Sequence, residues 1–276
     1  MEREALITYY GHSGFSVRLG HTLLIFDYWR GEGNRALGER EIDPAAWAKE
    51  DDVYVFVSHH HPDHFDDIVL TWRNVHPVTV VLADDIPTRP LCRCARPGQV
   101  LSLSDSVSVK IFRSTEVGVS YLVRAGETTV FHAGDLNLWH WRDKSTTREI
   151  ERAETEFEFV LSEMGDIRPD IAMFPLDPRQ GTYYDAGINK FIFSTHPRLV
   201  LPMHFLDRAE VAREYARHNR TSRVSIVALT LPGEQLSAFF GEDSLRLQVL
   251  AAESVKPVGR QEEADPFADT DMPVVF

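Results

Sequence analysis

Cysteine is almost absent from this chain: Cys92 and Cys94 are the only two in 276 residues. A Cys-x-Cys pair is neither a disulfide framework nor a redox Cys-x-x-Cys, so two ordinary reduced thiols are expected. Long apolar runs are also missing. No stretch approaches the length of a membrane span, and Met1-Glu2-Arg3-Glu4 leads straight into a strand pattern instead of a signal sequence, so a cytoplasmic protein without membrane insertion is expected. Positive charge is in deficit, with 29 Lys and Arg against 42 Asp and Glu and a formal net charge of −13. That balance argues against a nucleic-acid backbone as the main partner, because phosphates need a basic face. What the chain does have is 43% hydrophobic residues in many short runs broken by Gly, Pro and Asp. This is the composition of a globular protein long enough to bury a large core.

The stretch that carries chemistry is Ser58-His59-His60-His61-Pro62-Asp63-His64, at the end of the apolar run 53–57. A continuous run of valines and aromatics reads as a strand buried on both faces. The histidines therefore begin where a strand emerges. Each imidazole has two nitrogens that need partners, so four rings and a carboxylate packed this closely point to metal ions. His59 and His61, two apart in extended chain, can face one side. The turn through Pro62 carries Asp63 and His64 to a second position, which favours two metals over one.

At these residues the chain resembles the metallo-β-lactamase superfamily, whose His-x-His-x-Asp-His signature is present as His59, His61, Asp63 and His64. Phe131-His132-Ala133-Gly134-Asp135 and Leu201-Pro202-Met203-His204 follow in the matching order. The resemblance implies an α/β fold, a four-layer αββα sandwich of helix, sheet, sheet and helix. It would occupy residues 1–252 as one domain, with 253–276 an acidic, Pro-punctuated C-terminal extension. The implied ligands are His59, His61 and His132 on one divalent ion and Asp63, His64 and His204 on the other, with Asp135 between them. Zinc is expected, with manganese or iron as alternatives. Asp27 matches the superfamily's first acidic motif, which braces a ligand from behind without binding metal.

The resemblance further implies a dinuclear hydrolase with Asp63 and Asp135 as catalytic carboxylates, in which a metal-bound hydroxide attacks a small, anionic ester or lactone. The compressed His-Ala-Gly-Asp and Pro-Met-His motifs look most like the branch that includes the ascorbate-6-phosphate lactonase. His61 stands where the oxygen-reducing diiron branch has a glutamate, which disfavours redox chemistry. A phosphodiesterase of the same fold is the alternative enzyme, and a non-catalytic metal-binding regulatory or scaffolding protein the alternative of another class. The partner is then a small-molecule substrate, and a homo-oligomer is left open.

Around these motifs the pattern predicts strands over 5–10, 15–19, 22–26, 78–82, 107–112, 117–123, 128–131, 171–174, 225–229, 235–239 and 244–249. A short helix should start at Asp43-Pro44, and Phe65, Ile68, Val69 and Trp72 fit a helix face. Thr146 with Glu149 forms a capping box for a helix stopped by Gly165. Further helices are expected over 185–194 and 207–219, the latter capped by Asp207 and Glu210. The turn Gly11-His12-Ser13-Gly14 presents His12 either to the metal pocket or to its own loop. Trp139, in Leu138-Trp139-His140-Trp141-Arg142, is either a pocket wall or lid, or packing under the following helix. Arg179 is the cation of a loop, 177–181, of the kind that reaches substrates, and the loop 28–49 could cover the pocket.

Overall fold

The computed structural model describes residues 2–31, 41–219, 221 and 223–250. The expected extension at 253–276 and the middle of the 28–49 loop lie outside the described residues. The chain opens with an antiparallel meander, β1 (Arg3–Gly11), β2 (Gly14–Leu19) and β3 (Thr22–Phe26), and continues through β4 (Asp52–Val57), β5 (Val78–Ala83) and β6 (Arg93–Ala95). A second group follows: β7 (Val100–Ser102), β8 (Val107–Arg113), β9 (Val119–Ala125), β10 (Thr128–His132), β11 (Ile171–Pro175), β12 (Leu199–Met203) and β13 (Ser225–Ile226). Between and after these run α1 (Thr147–Met164), α2 (Ala186–Thr195), α3 (Ala209–His218), β14 (Gln235–Phe240) and β15 (Leu245–Leu250).

Two sheets result. One has the order β15-β14-β1-β2-β3-β4-β5-β6 and the other β13-β12-β11-β10-β9-β8-β7. Residues of both sheets share one apolar core, with Phe26 and Phe56 of the first and Tyr121 and Phe131 of the second fully or almost fully buried. The alternation along β3 and β4 explains why their sequences are apolar throughout. Leu24, Phe26, Tyr54 and Phe56 face that core, while Leu23, Ile25, Val53, Val55 and Val57 face a second cluster on the outer side.

The layer over that outer side differs from expectation. Residues 65–72 do not form an α-helix. They fold as two 3₁₀ turns, Asp67–Leu70 and Trp72–Asn74, which bring Val69 and Trp72 onto the sheet. Asp66 caps the first turn by accepting from Ile68 N–H at 3.0 Å, a local bond that competes with a longer helix. Among the described residues, the three α-helices instead contact the seven-stranded sheet, through β8, β11 and β12. In α1 the expected capping box is formed, and Phe157, Val160, Leu161 and Met164 make its buried stripe. The Asp207–Glu210 cap is not formed. The first helical residue of α3 is Ala209, its N-cap is Arg208, and Glu210 pairs with that arginine.

Two glycines set how closely the sheets approach at one end. Gly134 (φ +54°) backs onto Ser58, where an added Cβ would lie 2.7 Å from the serine Cβ. Gly118 (φ +81°) leaves no room for a side chain against the Ser58 carbonyl and the His59 Cβ. Parallel pairs β3–β4 and β10–β11–β12 all discharge toward this end. Pro202 is tolerated in β12 because β13 pairs only with Leu199 and Val200, leaving the later part of the strand a single neighbour.

Candidate metal centre

Each chemically active side chain lies at or just beyond a strand end. Asp27 follows β3, Ser58 and His59 follow β4, Asp135 lies three residues past β10, Asp177 two past β11 and His204 one past β12, while His12 sits in the β1–β2 turn. Their backbones are bent to do this: His12 (φ +49°), Asp27 (φ +42°) and His204 (φ +61°) all adopt left-handed conformations unusual for residues with a Cβ.

Asp135 is the hub. Its Oδ1 lies 3.2 Å from His64 Nε2 and 3.5 Å from His204 Nε2, and its Oδ2 3.4 Å from His59 Nε2. His59 Nε2 is also 3.1 Å from His61 Nδ1. On the far side, His12 Nε2 is 3.3 Å from Asp63 Oδ2, and its ring centroid is 4.3 Å from that of His204 and 5.2 Å from that of His64. His12 Nε2, His64 Nε2 and Asp135 Oδ1 are nonetheless buried without a well-formed hydrogen bond. Buried polar atoms are rarely left so, and here they converge. Two overlapping groups, His12–His64–His204 and His59–His64–Asp135, each have ligand atoms within 4.8 Å of one another. Imidazole and carboxylate donors that close, turned toward shared points, fit divalent metal ions.

Behind the ligand atoms lies a second set of bonds that fixes the rings. Asp27, fully buried, accepts from Ser58 N–H at 2.7 Å and Ser58 Oγ–H at 2.6 Å, and lies 2.7 Å from His64 Nδ1. Ser58 Oγ spends its proton on Asp27, so at 2.9 Å it accepts from His59 Nδ1–H. Both histidines are thereby held with Nε2 facing the hub. Asp177 Oδ2 stands 3.1 Å from His204 Nδ1, beside that ring but without a well-formed hydrogen bond to it.

The charges follow this geometry. Burial disfavours ionised Asp135, but His64, His204 and His59 outweigh it and hold the carboxyl well below the usual range. Asp63 is likewise depressed, chiefly because the His12 ring stands beside it at 3.3 Å. Burial would lower His64, yet Asp135 and Asp27 raise it to about 10. Burial pushes His12 and His59 down to about 4, which keeps their rings neutral.

His132 does not join the cluster. Its Nε2–H donates to Ser13 O at 2.9 Å, its Nδ1 accepts from Gly134 N–H at 3.2 Å, and the ring stacks on Phe26 at 5.1 Å. With both nitrogens engaged, the ligand role implied by the resemblance is not formed. The reason is that β10 runs through residue 132 and carries this ring between the sheets. Its bond to Ser13 instead anchors the turn that presents His12.

The Trp139 ring lies 5.7 Å from the His204 ring and stacks on Trp141 at 5.7 Å, while its Nε1–H donates to Asp135 O at 2.8 Å. It borders the cluster. Arg179 grips Asp177, both Nε contacts being 3.0 Å, and its guanidinium stands 5.9 Å from the Trp141 ring. Sequence reasoning passed over Ser58 and Asp177 and left His12 undecided. Their signals were faint: a serine directly before the histidine motif, and an Asp-Pro just after a buried strand.

No family model matches the chain. It is 25% identical over 266 residues to a UPF0173 metal-dependent hydrolase from Opitutus terrae, covering 83% of this chain and 98% of that relative. Its fold is similar to that of a metallo hydrolase from the hyperthermophilic archaeon Ignicoccus hospitalis, with TM-score 0.55, 19% identity, and coverage of 85% of this chain and 98% of the other. A metallo-beta-lactamase fold protein from Bacillus subtilis also aligns at TM-score 0.55, with 13% identity over 85% of this chain and 99% of the other. The chain is a metal-dependent hydrolase of the metallo-β-lactamase fold. In this hydrolase the sandwich delivers the histidines and aspartates to one end. Among the described residues, no helix is long and apolar enough to cross a membrane.

Proposed function

We propose that this hydrolase uses two divalent metal ions, with zinc favoured over manganese or iron, to cleave a small anionic ester or lactone. The observation that carries the reading is Asp135, whose two carboxylate oxygens face different imidazoles, Oδ1 toward His64 and His204 and Oδ2 toward His59. A bridging carboxylate at that point would serve an ion beside His59 and His61 and another beside Asp63, His64 and His204. Bound there, such ions would acidify water and polarise the scissile oxygen.

The chain's own residues do the rest. Asp27 and Ser58 orient the His64 and His59 imidazoles, Asp177 stands beside that of His204, and the depressed Asp63 and Asp135 carboxyls stay ionised as hard oxygen donors. Two divalent ions facing only these two carboxylates keep an excess of positive charge, so an anionic substrate is favoured even on an acidic protein. The Trp139–Trp141 stack forms one wall, with Arg179 on the rim as the exposed cation.

Metal content of purified protein, paired with hydrolysis of bis-p-nitrophenyl phosphate, a simple lactone and a phosphorylated lactone, tests the reading. Two equivalents of metal with turnover of a lactone are expected, and Asp135→Ala should lose metal and activity together. Preference for the phosphodiester would turn the reading to a phosphodiesterase. Stoichiometric metal without turnover on such a panel would favour a binding role, and Asp135→Ala with full activity would overturn the assignment.

A further inference from the structure

We propose that His12 is itself a metal ligand, and that His12, His64 and His204 form the tighter of the two metal positions, filled before the one at His59 and His61. This rests on the metal-dependent reading above and deepens it.

Four observations meet at His12. Its Nε2 is buried and makes no well-formed hydrogen bond. A ring nitrogen of His12 lies with donor atoms of His64 and His204 in a group within 4.8 Å. The backbone is spent to hold it there, since residue 12 takes the left-handed conformation (φ +49°) that a histidine adopts only at a cost. And the turn is tied to the cluster from two sides: His204 N–H donates to His12 O at 3.2 Å, and His132 Nε2–H donates to Ser13 O at 2.9 Å.

The two positions then differ in donor supply. His64 is shared by both groups, and once its one outward nitrogen serves the position at His12 and His204, the position beside His59 and His61 has two imidazoles and one oxygen of Asp135, because His132 has both nitrogens occupied. Beside His12 there are three imidazoles, with Asp135 and Asp63 as carboxylates at 3.5 Å from His204 and 3.3 Å from His12. Three nitrogens and a carboxylate complete a four-coordinate shell, whereas two nitrogens and a carboxylate leave one position short. The rival account makes His12 only a hydrogen-bond donor that orients Asp63. It predicts two imidazoles, not three, around that ion.

Titration of metal-free full-length protein with Co²⁺, followed by visible absorption and by metal analysis after gel filtration, separates these accounts. The variants are His12→Asn and His61→Ala. Asparagine tolerates the left-handed backbone, so the substitution removes the imidazole without adding strain. His12→Asn is expected to weaken the first equivalent about 100-fold or more and change its absorption, while His61→Ala leaves that equivalent unchanged and weakens the second. X-ray absorption on wild-type protein with one equivalent of Zn²⁺ should count three imidazoles, a readout that needs no variant to fold. A count of two, or a His12→Asn protein that binds its first equivalent as the wild type does, overturns the inference and leaves the hydrolase reading standing. Wild-type protein that takes up no metal overturns both.

Discussion

Asp27 and His64 are 37 residues apart in sequence and 2.7 Å apart in space, both without solvent exposure. The same carboxylate holds the backbone and hydroxyl of Ser58. One buried anion thus fixes two of the rings that face Asp135.

Asp27→Asn follows directly. Asparagine accepts the left-handed backbone at this position, so the change isolates the lost charge. Its amide offers one acceptor oxygen in place of two, so it cannot accept from Ser58 N–H, Ser58 Oγ–H and His64 Nδ1–H together as the carboxylate does. The metal-free protein should lose about 1–3 kcal/mol in denaturant unfolding, and metal affinity should drop about 10–100-fold by titration. Unchanged affinity would remove Asp27 from the site.

The metal-free protein should be most stable near neutral pH. His12 and His59 resist protonation down to about 4 because they are buried, and burial pushes His132 and His140 down as well. Unfolded imidazoles take protons near about 6.5. Below that pH unfolding takes up protons, and stability falls with acid. His64 acts in the opposite sense: its contribution is full below about 6.5 and is lost as pH rises toward about 10. Thermal unfolding scanned across pH should show both limbs, the acid one steeper. Metal binding at His64 must expel its proton. Calorimetry at about pH 8 in buffers of different ionisation enthalpy should then read about one proton released when the ion at His64 binds, and none would mean His64 is neutral beforehand.

Gly118→Ala and Gly98→Ala share a backbone setting, φ +81° and +83°, but not a neighbourhood. Nothing lies within 4 Å of a Cβ at Gly98, so that variant should pay only about 1 kcal/mol of backbone strain. At Gly118 the methyl would overlap the Ser58 carbonyl and His59. A loss of about 3 kcal/mol or more in denaturant unfolding, with weaker metal binding, is expected. Equal losses in the two variants would show that the close approach is not needed.

Trp139→Ala should raise KM about tenfold, near 1.4 kcal/mol, with metal content unchanged. The ring borders His204 and Trp141, whereas its hydrogen bond goes to the backbone of Asp135 and not to the carboxylate. An unchanged KM would make Trp139 a packing residue under α1.

The residue order alone determined most of the strands, the cap and stop of α1, and the placing of histidines and aspartates at strand ends, because periodicity and local hydrogen bonds are written in short stretches of chain. It also carried the resemblance that gave Asp27 its bracing role. What only the tertiary structure decided is where each ring points. His132 turns to Ser13, 119 residues away, and leaves the cluster, while His12 is drawn in by a turn fastened to His204 and His132. The 3₁₀ layer over β3 and β4 is of the same kind, since Asp66 stops a helix that the apolar spacing favours. A motif fixes which donors reach one end of the sheets. Which of them keep a free lone pair depends on partners remote in sequence, and folding alone brings those together.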